Sequence, residues 1–206
     1  MEILLATFSA LFSVVNPFGA MPVFLTLTQD DTPSNRNQQA LRACIYMAII
    51  LGVFFLAGQY VLNFFGIRLH DIRIAGGLMI MKAGFELLSS KAHRGKKVSK
   101  GVLKESMQKE DISFAPLAMP MLSGPGAIAV SISLYSDALQ FTDLGLVVTA
   151  IVALAVVAYL ILIFSHQLLQ FLGKAGLSAL SRIMGFMVLS IGVNFIVTGI
   201  QGLFFT

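Results

Sequence analysis

Asn16-Pro17-Phe18-Gly19-Ala20-Met21-Pro22 interrupts an apolar run that extends from Ile3 to about Thr28. At 1.5 Å per residue the interruption falls roughly 20 Å into a helix, near the middle of a bilayer. Proline inside a helix removes one hydrogen bond and clashes with the carbonyl four residues back, whereas Asn followed by Pro is a favoured helix start. The stretch therefore predicts two half-helices, the second beginning at Pro17. A second apolar run, about 112 to 136, is broken in the same way by Ser123-Gly124-Pro125-Gly126, with Pro116 and Pro120 ahead of it and Ser123 or Gly124 as the cap.

Around these two breaks the chain reads as membrane-embedded. Of its 206 residues 57% are hydrophobic and 12% charged, against about 25% charged in soluble domains, and the mean hydropathy is +0.86. Six segments are long enough to cross a hydrocarbon core of about 30 Å: roughly 3 to 28, 40 to 65, 70 to 90, 112 to 136, 143 to 172 and 177 to 203. The first lacks the basic start and small-residue cleavage site of a signal peptide and is expected to be retained. The fold expected is an all-α integral membrane protein of six transmembrane helices, with helices 1 and 4 broken near the midplane. The single cysteine, Cys44, permits no intramolecular disulfide. With no metal-ligand spacing either, neither a metal nor a cofactor is expected.

Charge sets the orientation. Residues 91–111 carry seven of the fourteen Lys and Arg residues. Six spans place both termini on one side with Arg68 and Arg73; Arg36, Arg42, Lys174, Arg182 and the seven lie on the other. Basic loops stay in the cytoplasm, so both termini are expected outside and the 91–111 loop inside. That loop is expected to contact anionic lipid; nothing aromatic interleaves its lysines, so no nucleic-acid partner is expected.

The chain matches itself at an offset of 107. Gly19, Ala20, Val23 and Leu27 fall on Gly126, Ala127, Val130 and Leu134, and Leu62, Phe64 and Gly66 on Leu169, Phe171 and Gly173. After a two-residue insertion Arg73, Ile74 and Gly76 fall on Arg182, Ile183 and Gly185. Residues 1–90 and 112–206 thus form two three-helix repeats. Three is odd, so the second enters the membrane from the opposite side, the inverted topology of many secondary transporters.

Unwound backbone in a bilayer survives only where protein or water satisfies it. The half-helices after Pro17 and Pro125 both start at the centre, where free N–H groups favour an anion, while the carbonyls ending near Val15 and Leu122 favour a cation. A zwitterion suits both. Single kinks are often only packing features, but two matched by a repeat point to a shared site.

The stretches Asn16 to Phe24 and Pro120 to Ile128, with Ile74-Ala75-Gly76-Gly77, resemble the hallmarks of the MarC/SnatA family along the whole chain. The resemblance implies a bacterial or archaeal inner-membrane transporter of small neutral amino acids such as glycine and alanine. It also implies a substrate site at the broken helices, carried here by Asn16, Gly19, Ser123, Gly124 and Gly126. Pro17, Phe18 and Pro125 belong to the same breaks. Small residues there leave room for a substrate of glycine or alanine size.

Other polar residues extend the candidates. Lys82 and Glu86, one turn apart in the third span, are expected to pair, since a central charge costs about 2.5 to 3.5 kcal/mol on insertion scales; they are also candidates for coupling or gating. Asn194, midway along the last span, either contacts substrate or bonds across helices. His166 reads as an interfacial group, with a proton relay as the alternative. Glycines spaced by seven, Gly77 and Gly84, then Gly185, Gly192 and Gly199 after Ser178, predict close helix packing. The coupling ion is a proton or sodium, with the proton favoured. Competing readings are an exporter of another small solute, a channel, a structural subunit, and an intramembrane enzyme using Ser123 and His166. The oligomeric state is not readable from the sequence.

Overall fold

The computed structural model describes residues 2–89, 111–137 and 141–204. The expected basic loop, residues 91–111, lies outside them except for Asp111. The elements are α1 (Glu2–Val15), α2 (Pro17–Leu27), α3 (Pro33–Phe65), α4 (Leu69–Leu88), α5 (Ser113–Leu122), α6 (Pro125–Asp137), α7 (Phe141–Ile163) and α8 (Ser165–Phe204). Among the described residues every regular element is helical.

Among the described residues three helices are long and apolar enough to cross a membrane: Pro33–Phe65, Thr142–Ile163 and Ala175–Phe204. Two bent pairs reach that length together, α1 with α2 at 41° and α5 with Pro125–Tyr135 at 66°. The expected third span, α4, has 20 residues, about 30 Å at 1.5 Å each. It carries Asp71, Arg73, Lys82 and Glu86, too much charge for composition alone to mark it as a span.

The breaks have local causes. Asn16 adopts φ 47°, ψ 69°, a left-handed conformation that asparagine tolerates better than most residues. Its Oδ1 accepts from the Gly19 N–H at 3.2 Å, which caps α2, and Pro17 takes the first helical position. α5 is wide-turned: the Leu117 and Ser123 N–H groups donate to Ile112 and Ala118, five residues back. Its Ala115-Pro116 and Met119-Pro120 bonds are cis, which the sequence reading did not anticipate. Two glycines among the described residues have positive φ, Gly66 at 67° and Gly173 at 62°. They are 107 positions apart. Gly66 ends α3, and Gly173 interrupts α8, so Ser165–Leu172 continues α7 past a hitch at Phe164 and the last span starts beyond the glycine.

α4 and α8 pack antiparallel along their glycines. A methyl group built on Gly84 would lie 3.0 Å from the Gly185 carbonyl, one on Gly77 2.8 Å from that of Gly192, and one on Gly199 3.0 Å from that of His70. The close helix packing expected of these stripes is therefore present. Gly84→Ala would press the new methyl on backbone, 2.9 Å from Leu189 N, so the helices themselves must separate. A loss of about 1–3 kcal/mol is expected, read as a lower thermal midpoint in detergent.

Near its N-terminus α3 is tied to the start of α5. Arg42 donates to Asp111 Oδ2 at 2.9 Å, and Gln39 Oε1 accepts from the Ile112 N–H at 3.1 Å. The Ser113 hydroxyl holds the Asp111 carboxyl below its ordinary range; partial burial opposes this, and the Ser113 N–H and Arg42 reinforce it. A depressed carboxylate pKa contributes stability that is present above the ordinary value, near pH 4, and is lost as pH falls through the depressed one. The tie should therefore weaken below about pH 4. Thermal unfolding across that range should show the loss in the native chain and a flatter profile in Asp111→Asn.

Candidate functional site

The polar residue at each break is buried. Asn16 is 2% exposed and Ser123 0%. Each leaves a buried side-chain atom without a hydrogen-bond partner, Asn16 Nδ2 and Ser123 Oγ. An unpaired buried polar group costs about 1–3 kcal/mol, and few such groups survive without a purpose. Asn16 and Ser123 are the residues that the 107 offset superimposes. Of the two caps the sequence offers, Gly124 takes the position ahead of Pro125: its carbonyl accepts from the Ile128 N–H at 3.1 Å, while the Ser123 hydroxyl bonds nothing.

The backbone around these two residues is small for close approach. A methyl group on Gly126 would lie 2.7 Å from Ile80 Cγ1 and 3.4 Å from Val14 Cγ1. Since Val14 is two residues before Asn16, and Gly126 three after Ser123, the start of α6 touches the end of α1. Ile80, 1% exposed on α4, closes this contact. Nothing in sequence spacing announced Ile80, which is reached only by packing. On the other break, a methyl group on Gly19 would meet Asn16 Nδ2 at 2.6 Å. Pro17 is buried, Phe18, Gly19 and Gly124 are half-buried, and Pro125 is exposed.

The first turns of α2 and α6 carry N–H groups that no helix interior can satisfy. In α2 the Gly19 N–H is already taken by Asn16, by its Oδ1 at 3.2 Å and its carbonyl at 3.0 Å, which leaves Asn16 Nδ2 and the first N–H groups of α6 as donors of the kind a carboxylate accepts from. Ser123 Oγ can also accept, and the last carbonyls of α1 and α5 add acceptors suited to an ammonium group.

Several sequence candidates lie apart from this cluster. Asn194 is exposed on α8, where its carbonyl accepts from the Thr198 hydroxyl at 2.9 Å; the structure does not draw its side chain into the buried breaks. Lys82 and Glu86 are both exposed on α4, and among the described residues no ion pair joins them. The expected pair does not form because both side chains extend from the open side of the helix, where no neighbour fixes their rotamers. His166 is exposed and contacts Gln170 Nε2 at 3.0 Å, while Ser123 Oγ has no partner. The Ser123–His166 arrangement an intramembrane hydrolase would use is not assembled. A surface cavity of about 630 Å³ lies between Gln59 and His70 at the α3–α4 turn and includes neither break.

The sequence pattern of the family described as "MarC family integral membrane protein" matches residues 1–204. Among similar proteins is a UPF0056 membrane protein of Methanocaldococcus jannaschii, 34% identical over 202 residues, 98% of each chain. The UPF0056 membrane protein YhcE of Escherichia coli is 34% identical over 197 residues, 96% of this chain and 91% of its own. The UPF0056 inner membrane protein MarC of Citrobacter koseri is 36% identical over 199 residues, covering 92% and 90%. No solved structure matches.

Proposed function

The chain belongs to the MarC family of integral membrane proteins, and on that premise we propose that it is a secondary transporter of small neutral amino acids of glycine or alanine size. The observation that carries this reading is the pair of buried, unpartnered polar atoms, Asn16 Nδ2 and Ser123 Oγ, at repeat-related breaks. A substrate with one carboxylate and one ammonium group satisfies donors and acceptors that nothing else does. Each helix-end contact contributes about 0.3 to 2 kcal/mol. Together with a few hydrogen bonds these reach the roughly 4 to 8 kcal/mol of a millimolar to micromolar site, an affinity compatible with release.

In this reading six spans form two inverted three-helix repeats, with both termini outside and the basic loop in the cytoplasm of a bacterial or archaeal cell. The inverted repeat draws support from Gly66 and Gly173, and from Phe64 and Phe171, 83% and 88% exposed at equivalent positions. The breaks are covered in this conformer, so transport requires the halves to rock and open the site alternately to each side. The glycine-lined contact between α4 and α8 is the surface on which they would slide. A proton is favoured over sodium as the coupling ion.

Uptake of labelled glycine into proteoliposomes holding the purified protein tests the reading, with an imposed pH or sodium gradient and with alanine or leucine as competitor. Saturable uptake blocked by alanine and not by leucine is expected, driven by the pH gradient. Uptake no higher than in empty liposomes under every gradient would remove the amino-acid assignment.

A further inference from the structure

α6 turns different faces to its neighbours. At about 100° per residue, the advance of a 3.6-residue turn, Gly126, Ala129 and Ser133 fall within roughly 60° of arc, and Ser131 lies on the far side. Ser131 donates to the Leu51 carbonyl of α3 at 2.6 Å. The other face packs on α4: a methyl group on Gly126 would meet Ile80 Cγ1, and one on Gly76 would run into Ala129 Cβ. Ser133 is the next position of that face. It is 2% exposed, and its hydroxyl has no hydrogen-bond partner.

Burial in a helix does not by itself leave a hydroxyl unpaired. Ser13 and Thr28, at least as buried, donate to the Ser9 and Phe24 carbonyls four residues back at 2.9 and 2.8 Å. Thr26, which the 107 offset superimposes on Ser133, does the same to Pro22 at 2.8 Å. Ser133 forgoes that bond and shares its unpaired state with Ser123, ten residues earlier and about 15 Å away along a helix. The repeat mates of this face also differ in cover. Gly126, Ala129 and Ser133 are buried, whereas Gly19 is half-buried and Pro22 and Thr26 are exposed. In an inverted repeat such mates face opposite sides of the membrane, so the face is covered on one side and uncovered on the other.

We propose that the Gly126–Ala129–Ser133 face of α6 lines the outer route to the breaks, closed in this conformer by α4, and that the Ser133 hydroxyl is the route's polar contact for a small polar solute. The proposal rests on the transport reading, which directs α6 from the midplane to the outer surface. Opening requires α6, of the second repeat, to part from α4, of the first. A hydroxyl both donates and accepts, so Ser133 can meet either the carboxylate or the ammonium group of a solute leaving the breaks.

Thiol labelling from outside tests the route in spheroplasts, on Cys44→Ala chains that carry Ser133→Cys or Ser131→Cys. A charged, membrane-impermeant methanethiosulfonate is expected to label Ser133→Cys about tenfold faster than Ser131→Cys, because the minor open state exposes one face of α6 and not the other. Labelling after denaturation checks that both thiols are present. The reaction does not need glycine to be the solute: a Ser133→Cys thiol reactive from outside, in a protein that takes up no glycine, would keep the route and remove the amino acid. No reaction at Ser133→Cys, reaction from the cytoplasmic side alone, or equal rates at the two positions would each overturn the route. Ser133→Ala, which adds no atom, is expected to raise the thermal midpoint by deleting an unpaired buried hydroxyl. A lower midpoint would mark that hydroxyl as a structural bond and overturn its role as a contact.

Discussion

Gly126→Leu is expected to lower glycine uptake about a hundredfold while the protein still inserts and purifies as a monodisperse species. The first atom of the new side chain would already lie 2.7 Å from Ile80 Cγ1 and 3.4 Å from Val14 Cγ1, and three more carbons must follow it. Overpacking of this kind costs roughly 1–3 kcal/mol, and at 1.4 kcal/mol per decade its upper end corresponds to the expected loss. The added bulk enters the contact between the start of α6 and the end of α1, where the substrate's carboxylate is proposed to lie. Gly126→Ala should retain partial activity, because it adds one carbon to this contact where leucine adds four. Gly52→Leu is the control, since nothing lies within 4 Å of a methyl group there, and its uptake should be unchanged. Equal uptake by Gly126→Leu and the native protein would remove this contact from the transport path.

Ser123→Ala is expected to separate function from stability. Ser123 is fully buried and its hydroxyl has no partner, so deleting that hydroxyl removes a desolvation cost of about 1–3 kcal/mol. The variant should melt higher in the absence of substrate. It should also lose one of the polar groups offered to the substrate and take up glycine about tenfold more slowly, the effect of one lost hydrogen bond to a charged group. A hydroxyl with only a structural role gives the opposite signature, a lower midpoint with unchanged uptake. Thermal unfolding and uptake measured on the same preparation distinguish the two. Added glycine should raise the midpoint of the native chain more than that of the variant, because a ligand stabilises the state it binds.

The breaks were legible in the sequence because their causes lie within a turn of backbone. Pro17 and Pro125 lack the N–H that a continuous helix needs, and Asn16 supplies both a cap and a tolerated left-handed conformation. The two glycines of positive φ are a pair that the repeat superimposes, Gly66 on Gly173, although the spacing by itself did not name their conformation. The small-residue stripes carried the packing of α4 on α8, since a glycine at every seventh position leaves one face open to another backbone. Of the six apolar segments read as spans, five correspond among the described residues to helices or bent pairs apolar enough to cross, while α4 carries four charged residues and does not qualify by composition.

What the sequence could not supply is which face each helix turns to the others. Lys82 and Glu86 have the spacing of a pair, yet both extend from the open side of α4 and remain apart. Asn194 has the depth expected of a site residue, yet its side chain is exposed on α8. Ile80 has no polar atom to recommend it, yet it closes the contact with Gly126. Breaks, caps and positive-φ turns were determined by the sequence alone, because they arise from covalent geometry and hydrogen bonds between near neighbours. The facing of α4, the cover over Asn16 and Ser123, and the meeting of α1 with α6 were decided only by tertiary packing, in which each helix's rotation depends on the shapes of residues distant along the chain.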